Sequence, residues 1–240
     1  MKPIFHLPRR RLLTSGTASA LCLLTPGISR AIPQSPAQQK VWTFDRLDII
    51  GGLVPHIEGH PSVIDTPFGR AIEFNGIDDA LFLDEHPLAG ASTFTFEAIF
   101  RPDGGAFAQR WFHLASDEAA PLPGAKALNT RFLFEIRVPD RSWYLDAFTT
   151  GEGYKQTLAF PDKLHPLGTW HHVAQSFDGV TYRSYVNGIL QGEAALNFKP
   201  QGQGHASVGV RMTRQDYFHG ALRQARFTYE ALPPEQFLKL

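Results

Sequence analysis

Arginine, histidine, tyrosine and carboxylate side chains recur at every second position in several short stretches of this chain. Arg131, Leu133, Glu135 and Arg137 alternate with Phe132, Phe134, Ile136 and Val138, while His171 and Gln175 share a later stretch and Arg183 and Tyr185 another. A period of two puts such residues on one face of a strand. Arginines placed there can neutralise an anion, and His171 and Tyr185 are side chains that can transfer protons. The same Arg131, Glu135, Arg137, Gln175 and Arg183 can equally hold a glycan without cleaving it, with Trp143 or Tyr144 as a stacking surface. Neighbours along a strand face opposite ways, so only one of that pair can serve.

Other chemistries are poorly provided for. The single cysteine, Cys22, sits in an apolar N-terminal stretch, which leaves no disulfide or thiolate nucleophile downstream. His171 and His172 are adjacent and cannot chelate one metal from a strand. His56 and His60 have the spacing of zinc ligands on a helix, but Pro55 and Pro61 flank them and oppose a helix there.

The N-terminus reads as an export signal. Residues 1–31 carry Lys2, Arg9, Arg10, Arg11 and Arg30, no acidic residue, and an apolar stretch from Leu12 to Leu24 too short to span a bilayer. Arg9-Arg10-Arg11-Leu12-Leu13 resembles the twin-arginine pattern, and Ser29-Arg30-Ala31 offers small residues for cleavage after Ala31. An ordinary secretory signal shares the same order of features. Residues 32–40 form a polar spacer and 41–240 one domain. With the signal removed, 18 basic residues face 23 acidic ones. That balance, without a basic cluster, argues against nucleic acid as a partner. No later apolar run is long enough for a membrane span. The product is expected in the periplasm or outside the cell.

The elements that must position these residues are strands. Phe94, Phe96, Ala98 and Phe100 form one apolar face, and the stretches Trp170 to Phe177, Tyr182 to Val186 and Ile189 to Ala195 are separated by Asp178-Gly179 and Asn187-Gly188. Those dipeptides suit tight hairpins. Trp170 is expected to fill the space between sheets. Helical periodicity is confined to a closing turn at Pro234 to Leu238. The chain is all-β.

Segments along nearly the whole exported chain resemble the laminin G-like jelly rolls of the concanavalin A-like lectin/glucanase superfamily. They are Trp42-Thr43-Phe44-Asp45, Gly69-Arg70-Ala71-Ile72-Glu73-Phe74-Asn75-Gly76, Thr95 to Pro102, Gly168-Thr169-Trp170-His171-His172-Val173-Ala174 through Tyr185-Val186-Asn187-Gly188, and Phe218-His219-Gly220-Ala221-Leu222. The resemblance implies a two-sheet antiparallel jelly-roll sandwich. It implies architecture more than activity, because one fold hosts many functions. The Glu-x-Asp-x-x-Glu triplet of glucanases on this fold is missing, as are the local motifs of its alginate lyase-like members. A binding module for a carbohydrate or an envelope protein is the leading expectation, with a polysaccharide lyase or glycosidase as the alternative. The resemblance also implies a structural calcium, to which Asp45, Asn75, Asp78 and Asp79 could contribute. Against it, Arg223 stands where relatives carry Asp, and Asp78 and Asp79 could instead form the turn after Gly76. No other cofactor is expected.

Overall fold

In the computed structural model, the described residues are Met1, 38–117 and 130–240. The expected twin-arginine signal beyond Met1 and all of the expected spacer before residue 38 lie outside them. Among the described residues sixteen strands, numbered in chain order, build two antiparallel sheets of eight. The first sheet runs β14 (Ile189–Ala195), β13 (Thr181–Val186), β12 (His171–Phe177), β6 (Phe94–Pro102), β16 (His219–Thr228), β4 (Gly69–Asn75) and β3 (Ser62–Thr66). The free half of β16 is taken by β1 (Gln39–Thr43), so the last two residues of the expected spacer already belong to a strand. The second sheet runs β10 (Tyr154–Ala159), β9 (Ser142–Gly151), β8 (Arg131–Arg137), β7 (Ala108–Ser116), β15 (Gly204–Val208), β5 (Ala80–Leu83) and β2 (His56–Glu58), and the short β11 (His165–Pro166) pairs with β9. The only helical element among the described residues is a 3₁₀ turn, Pro234–Gln236.

Aromatic side chains fill the space between the sheets. Phe94, Phe96 and Phe100 of β6 meet Phe132 and Phe134 of β8 and Trp111 and Phe112 of β7, all buried. Phe96 stacks on Phe134 with ring centroids 4.0 Å apart, and Phe94 meets Phe132 edge-on at 5.1 Å. Such pairs add about 0.5–1.5 kcal/mol each beyond the apolar area they bury. The β13–β14 hairpin turns at Asn187 and Gly188, both at positive φ (51° and 76°), the geometry that matches the twist of paired strands.

Trp170 corrects the sequence reading. Strand β12 begins one residue later, and the indole is only half-buried. Phe68 meets it edge-on at 6.4 Å, and the Arg101 guanidinium lies over it at 5.6 Å. The alternation that puts Val173 and Phe177 in the core turns Trp170 outward.

Candidate binding face on the second sheet

The outward row of β8 is Arg131, Leu133, Glu135 and Arg137, and that of β9 is Tyr144, Asp146, Phe148 and Thr150. Glu135 stands opposite Asp146 on one side and Arg110 of β7 on the other, and Arg137 stands opposite Tyr144. Directly opposed side chains in antiparallel strands lie within reach of each other, with Cβ atoms about 4.5–5.5 Å apart. Arg110 Nε is 2.5 Å from Glu135 Oε1, an ion pair outside hydrogen-bond alignment. Arg110 also pairs with the Asp216 carboxylate. Arg137 Nη2 lies 2.7 Å from Asp146 Oδ2 and 3.8 Å from Glu135 Oε2. Burial, and then the neighbouring Asp146, push the Glu135 carboxyl above its ordinary range, and burial does the same to Asp146 against the pull of Arg137.

Partly exposed rings flank this lattice. Tyr144 and Phe148 are both half-buried on the outward side, with the Arg131 guanidinium 5.0 Å from the Phe148 ring centre and Lys155 Nζ 5.8 Å from it. The segment after β15 borders the face at β7 and β5. Met212 N–H donates to His113 Nδ1 (3.0 Å), Arg110 N–H donates to the Asp216 carbonyl (2.8 Å), and Arg214 reaches Glu58 while lying over Phe82 at 4.7 Å. Burial, then the charges of Arg131 and Arg211, lower the His113 imidazole to about 3, so it is neutral near pH 7.

The structure divides the residues singled out in the sequence. Arg131, Glu135, Arg137 and Tyr144 share the outward face just described. Trp143, the other candidate platform, is fully buried against Phe100 and His171, because β9 turns its odd-numbered side chains inward. The remaining candidates belong to the first sheet. Gln175 faces the core; its amide is buried without a hydrogen-bond partner among the described residues. Arg183 is held on the surface by Asp178 and Glu193. Tyr185 lies under Phe237, ring centroids 5.2 Å apart. His171 closes the end of the sandwich, its Nε2 near Thr169 Oγ1 (2.8 Å) and the Pro166 carbonyl (3.1 Å). The lyase set of Arg131, Arg137, His171 and Tyr185 is thus split between two sheets and does not converge.

The calcium candidates are engaged otherwise. Asp79 is buried, and its two oxygens accept N–H groups from His60 (2.6 Å) and Asn75 (2.9 Å). Asn75 Oδ1 accepts from Ile77 and Asp78 N–H, and its amide donates to Asp78 Oδ1 at 2.7 Å. These are turn contacts around Gly76, beside a polar hollow of about 270 Å³ that His60, Glu73 and His219 also line. Asp45 lies beyond the end of β1, and no group of three or more His, Cys, Asp or Glu side chains among the described residues could hold a metal ion. The set therefore does not fit a calcium ion, whose oxygen ligands would have to come free of the turn.

Sequence reasoning missed Arg110, His113, Asp146, Phe148 and Arg211. Asp146 and Phe148 share the period-two row of Tyr144 and were within reach of that rule. Arg110 and His113 were not, because a bulge at Trp111 shifts the alternation of β7.

A family model of the concanavalin A-like lectin/glucanases superfamily, Laminin_G_3, matches residues 75–237. The chain belongs to this laminin G-like family. Among solved structures, this laminin G-like chain is similar to domain 4 of the extracellular arabinanase AbnA from Geobacillus stearothermophilus, solved in complex with arabinotriose. The two share 17% identity at a TM-score of 0.61, over 84% of this chain and 97% of that one. The binding domain of Paraclostridial Mosquitocidal Protein 1 is similar at 12% identity and a TM-score of 0.58, over 82% of this chain and 50% of that one. The NanB sialidase from Streptococcus pneumoniae shares 20% identity at 0.51, over 62% of this chain and 24% of that one. At such identities the likeness establishes the fold alone. Comparison with curated proteins gives no match.

Proposed function

We propose that the protein is an exported carbohydrate-binding module that holds a glycan across the outward face of its second sheet and does not cleave it. The observation that carries this reading is the juxtaposition of two partly exposed rings, Tyr144 and Phe148, with arginines whose positions are held by buried carboxylates. Rings supply a stacking surface, and oriented polar groups supply specificity for hydroxyls and charges. The arabinotriose-bound domain of the same fold supports it, as does the separation of Arg131 and Arg137 from His171 and Tyr185. Export rests on the N-terminal arginines and apolar stretch, and no described helix is long and apolar enough to cross a membrane.

The test is affinity electrophoresis of the exported protein through a panel of polysaccharides, with a reducing-end assay alongside. Retention by at least one polymer is expected, with no new reducing ends. Tyr144→Ala and Phe148→Ala should each weaken retention about tenfold, equivalent to about 1.4 kcal/mol. Retention untouched by both changes would move the site elsewhere. Binding only to an envelope protein, or release of new chain ends, would defeat the reading.

A further inference from the structure

The donors on this face are not evenly satisfied. At one end Arg110 and Arg137 are neutralised by Glu135, Asp146 and Asp216. At the other end, His113 is 3% exposed and accepts the Met212 N–H at Nδ1, so the proton of its neutral ring sits on Nε2. That buried Nε2 has no hydrogen-bond partner among the described residues. Arg211, adjacent to Met212, has a buried Nε in the same condition. Arg131 stands opposite Ala115 of β7, two residues along from His113, and burial, then the charge of Arg211, lowers its guanidinium against the pull of Glu135. Buried donors without acceptors are costly, charged ones most of all, and native proteins leave few of them. A charged donor such as Arg211 is met best by an anionic acceptor.

We propose that the His113–Arg131–Arg211 end of the face is an anion subsite, so that the glycan is an acidic one whose carboxylate or sulfate ester is bound there. The inference rests on the glycan reading of this face. An anionic oxygen would accept from His113 Nε2–H and from the guanidinium of Arg211, contacts that are shorter and stronger than neutral ones. Phe148, under the Arg131 guanidinium, would lie beneath the sugar ring that carries the anion.

The experiment measures affinity of the exported protein for polygalacturonate, for the same polymer fully methyl-esterified, and for a sulfated galactan. Esterification removes the charge and keeps the backbone, so it should weaken binding at least tenfold. A preference for polygalacturonate over the sulfated galactan identifies the anion as a carboxylate, and the reverse identifies a sulfate ester. Arg211→Gln should bring the acidic-to-esterified affinity ratio close to one, and His113→Gln should lower it several-fold. Thermal melts would show that both variants fold. Equal affinity for the acidic and esterified polymers, with Tyr144→Ala weakening both, overturns the anion subsite and leaves the glycan face standing. An acidic preference that survives Arg211→Gln also overturns it, since the charge would then be read elsewhere. Retention of no polymer overturns the glycan reading and this inference together.

Discussion

Each sheet carries a glutamate at the centre of its outward face, and the two are used differently. On the first sheet Glu97 is completely buried, because residues 230–240 lie across it. Its Oε1 accepts the Leu238 N–H (2.7 Å) and is 2.9 Å from His172 Nε2, and its Oε2 accepts from Arg226 Nε at 2.6 Å. Arg226 in turn donates to the Gln236 carbonyl, and Phe237 packs on the rings of His172 and Tyr185. Every partner comes from the chain itself, and the network closes that part of the surface. On the second sheet Glu135 sits between Arg110 and Arg137, but Asp146 Oδ1, His113 Nε2 and Arg211 Nε meet no partner among the described residues. The same strand chemistry serves as an internal fastening on one side and leaves bonding capacity for a ligand on the other. Self-satisfaction, rather than polarity, separates them.

The largest effect should come from removing the charge on the closed side. Glu97→Gln leaves the half-buried Arg226 and the Leu238 N–H facing a neutral group and should cost about 3–5 kcal/mol in denaturant unfolding. Glu135→Gln should cost under about 1 kcal/mol, because Arg110 keeps Asp216, Arg137 keeps Asp146, and the Glu135 carboxylate is already disfavoured by burial. Equal losses would erase the distinction between the faces.

A pH series sharpens it further. His113 is lowered to about 3 and His86 to about 4, each chiefly by burial, against an ordinary 6.5. Their contribution to stability is complete above about pH 6.5 and is lost as pH falls toward 4 and 3, because the unfolded chain takes up the proton first. Glu135 and Asp146, raised in the fold, act in the opposite sense and favour the folded state as pH falls through their raised values. Thermal melts from pH 7 to 4 should show a smaller acid loss for His113→Gln than for the parent. An identical loss in both would remove His113 from the account.

The smallest effect is expected at Trp170. Its indole lies on the outward side of the first sheet, half-exposed between Phe68 and Arg101, so Trp170→Ala should cost less than about 1 kcal/mol and leave glycan retention unchanged. A loss of about 3 kcal/mol or more would restore the core role that the sequence pattern suggested.

Much of the frame was legible from residue order alone. Alternation marked β6, β8, β12 and β13, and Asn187-Gly188 marked the hairpin that joins β13 to β14, because a strand repeats every two residues and a tight turn needs positive φ. Alternation has two phases, however, and says nothing about which phase meets the other sheet. Trp143 and Tyr144 were equivalent until packing turned the first against Phe100 and left the second at the surface. Gln175, Arg183 and Tyr185 looked like companions of Arg131 and Arg137 until the pairing of β12 with β6, and of β8 with β7 and β9, put them in different sheets. The turn residues Asn75, Asp78 and Asp79 resembled ion ligands, but in the fold backbone N–H groups donate to Asn75 and Asp79 and the Asn75 amide donates to Asp78. The sequence by itself determined which residues share a strand and which bend the chain. Tertiary structure decided which sheet and which side they face, because that choice depends on strands distant in sequence and on a bulge at Trp111 that no local period records.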